Sequence, residues 1–255
     1  MRNGWDLFYP PCCPLCHQIL QGQEQMICVK CRAKLRPIGE PRCKKCGKPL
    51  EDGQEELCRD CRVRPHWFEE GRGIFLYDQK MKDSIIRYKY GGRRIYGEFY
   101  IRALALYGES SMKLWRPQAV FPVPMEKRKK RKRGFNQSEQ LALGIGRQFG
   151  IPVCTDWIQK VKKTKSQKKL NAAERRRNLQ EAFRGKPGVW KIERALIVDD
   201  VYTTGATIDA VAGELKKHGV KKVYFLTICT GFVSAKKSFS WLEIYVTINL
   251  YEYLW

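Results

Sequence analysis

Eight of the eleven cysteines repeat one spacing, and no other feature of the sequence constrains the fold as tightly. Cys13, Cys16, Cys28 and Cys31 recur, gap for gap, as Cys43, Cys46, Cys58 and Cys61. The register extends beyond sulfur: Pro11 aligns with Pro41, Leu20 with Leu50, Ile27 with Leu57 and Arg32 with Arg62. Two thiolates separated by two residues offer half of a tetrahedron, so two such pairs complete a four-thiolate Zn2+ site, and the repeat predicts two structural zinc ions. Sequential ligation, one ion per repeat, is the simpler arrangement because each repeat is then self-sufficient; an interleaved arrangement would use the same residues. Ligation also supplies folding free energy that so short a segment cannot draw from a core of its own. Cys12 is a spare beside Cys13, and Cys154 and Cys229 lie in apolar runs that read as core. His17 and His66 are given no role.

Metal rather than disulfides is expected because residues 1–11 lack the apolar stretch of a secretory signal, which points to the reducing cytoplasm. No run of about 20 apolar residues is present to span a bilayer, so a soluble protein is expected. A chain of 255 residues has room for one substantial core and an appendage. The expected division is a double zinc ribbon over residues 1–68, a larger body over 69–232, and an extension over 233–255. In that extension Leu242, Ile244, Val246, Ile248 and Leu250 alternate at the period of a strand able to join a sheet edge.

The net charge of +23 implies a polyanionic partner, nucleic acid rather than membrane, since no basic amphipathic helix stands out. Seven consecutive cations, Lys127, Arg128, Lys129, Lys130, Arg131, Lys132 and Arg133, form what reads as a basic loop. A second basic stretch covers residues 160–169, followed by Arg175, Arg176 and Arg177. Such loops bind single-stranded DNA with little sequence preference and release it as salt rises. A merely solvated charge run is the plainer alternative. Phe135, Tyr88 and Tyr90 are placed either to stack on bases or to fill the core.

Beyond residue 70 apolar runs alternate with segments of helical period. "GRGIFLY", "QAVFPVP", "IPVC", "ALIV" and "KKVYFLTICT" read as strands; "QKMKDSIIRYKY", "RIYGEFYIRALALYGES" and the segments near 138–149 and 206–218 read as helices. This alternation predicts an α/β fold, a parallel sheet flanked by helices, with ligands at the carboxyl ends of the strands. There the sequence reads "ALIVDDVYTTGAT". Asp199 and Asp200 stand where the strand is expected to end, and Thr203, Thr204, Gly205, Ala206 and Thr207 make a turn into a helix whose free N–H groups favour a phosphate. The carboxylates can accept hydrogen bonds from the vicinal hydroxyls of a ribose. Asp209, one turn into the helix, reads as a solvated acid.

This stretch resembles the phosphoribosyl pyrophosphate (PRPP) fingerprint of type I phosphoribosyltransferases. With the doubled zinc ribbon and "RGFNQS" added, the chain resembles the ComF family of late competence proteins over residues 5–231. The resemblance implies that Asp199 and Asp200 meet the ribose hydroxyls and that Thr203 to Thr207 hold the 5'-phosphate. It further implies that Arg133, Gly134, Phe135, Asn136 and Gln137 belong to the pyrophosphate loop, and that Mg2+ accompanies the ligand. Thr164, Gln167, Leu170, Glu174, Arg175, Asn178, Ala182 and Phe183 match a flexible-loop pattern, within which Asn171 and Glu174 read as a capping box. The chain departs from the family at Glu126, where many relatives carry His, and at Lys129 and Lys130.

Three functions use these residues. One, implied mostly by the family resemblance, is a DNA-uptake protein of natural transformation that binds single-stranded DNA and PRPP, with a competence helicase and DNA-loading proteins as the partners the resemblance suggests and recruitment from the cytoplasm to membrane-bound machinery. Another is a phosphoribosyltransferase that passes ribose 5-phosphate to an unidentified nucleophile, with Asp199 and Asp200 stabilising an oxocarbenium-like state. The third is a sensor that binds the metabolite without turnover.

Overall fold

The computed structural model describes residues 10–21, 26–51, 53–161 and 182–231. Two short helices, α1 (Val29–Lys34) and α2 (Arg59–Val63), start directly after Cys28 and Cys58 at equivalent points of the two cysteine repeats. The body then runs β1 (Glu70–Leu76), α3 (Gln79–Tyr90), α4 (Tyr96–Trp115), β2 (Ala119–Pro122), α5 (Lys127–Arg133), α6 (Gln137–Phe149), β3 (Ile158–Lys160), β4 (Phe183–Gly185), β5 (Arg194–Tyr202), α7 (Ala206–Lys217) and β6 (Lys222–Thr230).

Strands β1, β6, β5 and β2 lie in that order in one parallel sheet, while β3 and β4 form a separate antiparallel pair. The central strands β5 and β6 are buried almost throughout, as expected of a parallel sheet covered on both faces. Gly71 keeps β1 close to β6, since a Cβ there would lie 1.9 Å from the ring of Phe225. Helix α3 starts at Asp78, whose carboxylate accepts from the N–H of Met81 at 2.8 Å. Its buried residues Met81, Ser84, Ile85 and Tyr88 recur three and four apart, so one face turns to the sheet. Helices α3, α4 and α6 cover one sheet face around Leu196, Val198 and Leu226. Helix α7 and the β3–β4 pair cover the other around Ile197, Val223 and Phe225.

The double zinc ribbon precedes this sheet in sequence and clasps its β1 edge in space. Cys13, Leu15, Leu20 and Ile27 of the first repeat join the α3/α4 core, where Ser84 Oγ donates to the Pro14 carbonyl at 2.5 Å and Arg87 to that of Leu15 at 2.8 Å. Cys43 and Cys46 of the second repeat join the opposite core beside Phe68 and Tyr202, and the Gly71 N–H donates to Lys45 O at 2.9 Å. Between the repeats Ile38 N–H donates to Ile74 O at 2.8 Å, covering polar groups that an edge strand would otherwise expose.

Three expectations change, and one element is new. The strand carrying Asp199 and Asp200 does not end at Val198 but continues to Tyr202, paired with β6. "IPVC" supplies one bridge, Val120 to Val153, rather than a full strand. The seven cations form helix α5 rather than a loop: Lys130 is neutralised by Glu139 at 2.6 Å, four of the cations sit in the last turn where the helix dipole favours positive charge, and Gly134, at φ 85°, closes the end. The β3–β4 pair was not anticipated, because each strand has only three residues. Positions 164–178 of the flexible-loop pattern, the capping box and the tail beyond 231 lie outside the described residues.

Candidate functional site

The cysteines gather sequentially, with Cys13, Cys16, Cys28 and Cys31 in one group and Cys43, Cys46, Cys58 and Cys61 in the other, the sulfurs of each lying within 4.8 Å of one another. Cys16 and Cys28 place their sulfurs 3.6 Å apart, as do Cys46 and Cys58. Four sulfurs about 2.3 Å from a tetrahedral zinc ion stand about 3.8 Å apart, so both groups fit that ion. No disulfide joins any of the described cysteines, and Cys229 is fully buried, as a core residue should be. His17 joins neither group; its Nδ1 meets the Tyr96 hydroxyl at 2.5 Å.

At the end of β5 the chain turns through Thr203 and Thr204, both exposed, to Gly205 and the start of α7. Gly205 adopts φ 78°, and a Cβ there would lie 2.6 Å from the Tyr202 hydroxyl, so both the backbone angle and the space demand glycine. No side chain caps α7, which leaves its first amides beside Ala206 and Thr207 open to an anion.

The two carboxylates are not open in the same way. Asp199 and Asp200 are 9% and 5% exposed. Asp199 accepts from Ser138 Oγ at 2.6 Å, and Asp200 forms an ion pair with Lys89 from the last turn of α3. Burial, with the charge of Asp200 alongside, pushes the Asp199 carboxyl up to about 8. Burial acts on Asp200 in the same direction, but the ammonium of Lys89 overrides it and holds that carboxyl below its ordinary range. The pair therefore carries about one negative charge at neutral pH, matched by Lys89. The acids sit not at the end of the strand but within it, where a buried charge needs a partner.

Across from them, Arg133 of α5 donates to Gln137 Oε1 and stacks its guanidinium 4.5 Å from the ring centre of Tyr90. Asn136 is buried; its side chain donates to Val123 O at 3.1 Å and accepts from the Ser138 N–H at 3.2 Å, so it ties β2 to the start of α6. Gly134 lies at the rim of a cavity of about 130 Å³ shared with Arg94, Lys130 and Phe135. Residues 127–132 are exposed along α5. Of the three aromatic candidates only Tyr90 can stack on a base: it is 71% exposed, whereas Tyr88 and Phe135 are buried with ring centres 5.5 Å apart.

The roles of three participants are not legible in the sequence. Lys89 and Ser138 reach the carboxylates from distant helices; the one available signal for Lys89 was a cation inside the apolar-periodic "SIIRYKY". Asp209 is not a solvated acid: it accepts from the Trp67 N–H at 3.0 Å and faces His66 Nδ1 at 2.5 Å.

Among the described residues no helix is long and apolar enough to cross a membrane. Residues 4–62 match the model of the double zinc ribbon domain, and residues 136–249 match that of the phosphoribosyl transferase domain. The chain is 31% identical to "Competence protein ComFC" of Streptococcus pneumoniae, over 80% of this chain and 88% of that protein. It is 28% identical to "Competence protein F" of Haemophilus influenzae, over 83% and 93%. It is 30% identical to "DNA utilization protein YhgH" of Salmonella typhi, over 88% and 98%.

Proposed function

The chain belongs to the ComF family of competence proteins, and from that premise we propose that it serves DNA uptake by binding PRPP at the β5–α7 turn and single-stranded DNA along α5. The observation that carries this reading is a connected set of groups: an uncapped helix start at Gly205, the carboxylate pair in the strand before it, Lys89 paired with Asp200, and beside Lys89 in sequence Tyr90, stacked by Arg133 of the exposed cationic helix.

Each residue has a chemical part. The N–H groups of Ala206 and Thr207 and the hydroxyls of Thr203, Thr204 and Thr207 hold the 5'-phosphate. Ribose hydroxyls donate to Asp199 and Asp200 in place of Ser138 and Lys89, so binding exchanges one ion pair for ligand contacts. Lys89, once ribose hydroxyls replace it at Asp200, turns toward the pyrophosphate beside Arg133. Mg2+ is suited to the carboxylate and phosphate oxygens of such a site, where it would neutralise pyrophosphate charge. The cations of α5 neutralise DNA phosphates and release counterions, while Tyr90 offers a stacking face. Nothing in these roles requires turnover.

A fluorescence titration of labelled single-stranded DNA over a salt series, with and without PRPP and Mg2+, tests the reading. DNA affinity should fall steeply with salt, and replacing residues 127–132 by glutamine should flatten that slope while PRPP affinity survives. Asp199→Asn with Asp200→Asn should do the reverse. Equal loss of both ligands in both variants would defeat the two-site proposal.

A further inference from the structure

An anion site at a helix start is compromised when the helix brings its own acid into the first turn, as α7 does with Asp209. That carboxylate is drawn off by two donors from the junction between the second cysteine repeat and β1. The Trp67 N–H donates to Oδ1 at 3.0 Å, and His66 Nδ1 lies 2.5 Å from Oδ2. Because a carboxylate only accepts, Nδ1 carries the proton. The His66 side chain is 2% exposed and stacks on Phe68 at 4.6 Å between ring centres. Phe68 stands edge-on to Tyr202 at 6.2 Å, and Tyr202 is the residue whose hydroxyl closes the space beside Gly205. From the repeat itself Lys48, 5% exposed and paired with Asp60 at 2.9 Å, places its ammonium 5.7 Å from the Tyr202 ring centre. Cys43 and Cys46 pack into the same core as Phe68 and Tyr202. The first repeat makes its contacts on the opposite sheet face.

We propose that the second zinc ribbon is a brace for the phosphate-binding turn. His66 and Asp209 are its positioning residues: they pin the first turn of α7 and turn its carboxylate away from the anion, while Tyr202 supports Gly205 from below. Metal held by Cys43, Cys46, Cys58 and Cys61 therefore governs the order of residues 203–209, and metal at the first site does not. The inference about anion affinity rests on the phosphate reading above; the inference about order does not.

The test uses the full chain with both metals bound. Amide hydrogen exchange is followed over residues 203–209 and over β6, metal content is measured, and ribose 5-phosphate affinity is read by calorimetry for wild type, Asp209→Asn and His66→Phe, the last keeping a ring against Phe68. Exchange over 203–209 should rise about tenfold in both variants, since His66→Phe deletes the donor to the carboxylate and Asp209→Asn leaves only neutral hydrogen bonds; ribose 5-phosphate affinity should fall by a similar factor in His66→Phe, which leaves the charge facing the anion, and by less in Asp209→Asn, which removes it. Two zinc ions per chain and slow exchange in β6 should persist, marking an intact fold. In the same assay Cys61→Ser should loosen residues 203–209, and Cys31→Ser should leave them slow. Unchanged exchange over 203–209 in both Asp209→Asn and His66→Phe overturns the brace, as does equal loosening by the two cysteine variants. Faster exchange in a protein whose wild type binds no ribose 5-phosphate upholds the brace and removes the phosphate reading instead.

Discussion

Lys89→Met keeps most of the side chain's apolar stem and removes its charge, leaving Asp200, 5% exposed, without the ammonium that faces it. A buried charge stripped of its partner costs about 3–5 kcal/mol. The carboxyl has an escape, because it can take up a proton. At pH 7 that costs about 1.4 kcal/mol for each unit above the ordinary value of 3.8, about 4 kcal/mol in all. At pH 5 the same escape costs under about 2 kcal/mol. The destabilisation therefore has a ceiling that drops as the solution becomes acidic. Urea denaturation followed by circular dichroism at pH 5, 6, 7 and 8 reads it directly, and urea avoids the charge screening that guanidinium would bring. The gap between wild type and variant should approach about 4 kcal/mol at pH 7 and close below about 2 kcal/mol at pH 5. Lys89→Met combined with Asp200→Asn removes both charges and should recover most of the loss, with no pH trend. A gap under about 1 kcal/mol at pH 7, the size of an exposed pair, or one that ignores pH, would refute a buried, ionised Asp200.

The neighbouring carboxyl titrates in the opposite sense. Asp199 is pushed up to about 8 in the folded protein, so its contribution is fully present below about pH 4 and is lost as pH rises toward 8. Asp199→Asn mimics the protonated acid, and its melting temperature should gain on wild type steadily from pH 5 to pH 8; parallel curves would exclude the raised value. Metal analysis should find about two zinc ions per chain, and chelation should cost cooperative unfolding, since ligation is part of the folding free energy. Gly205→Ala meets both a positive φ and the Tyr202 hydroxyl, and should cost about 1–3 kcal/mol and weaken ribose 5-phosphate binding in calorimetry; a neutral substitution would mean that the turn is not held as described.

Much of this protein is local, and what is local is legible in order along the chain. The C-x-x-C pairs place two sulfurs on one tight turn whatever surrounds them, so two four-thiolate sites could be counted from spacing, while the fold decides that each repeat keeps its own four. The three-and-four periodicity of "QKMKDSIIRYKY" sets one face of a helix, and its span, Gln79–Tyr90, matches the segment read from the sequence. "TTGAT" marks the break between β5 and α7 because only glycine accepts the backbone angle that Gly205 adopts. What the chain could not disclose arrives from afar. Lys89 meets Asp200, Ser138 meets Asp199, and His66 meets Asp209 across 143 positions. Tyr88 and Tyr90 are two residues apart, yet one is buried and the other exposed, since the helix turns one toward the sheet and the other toward solvent. Spacing determines which atoms a short segment can bring together. Whether a carboxylate is buried, and which cation then compensates it, depends on elements that become neighbours only when the sheet closes, because the cost of removing a charge from water is set by everything that replaces the water.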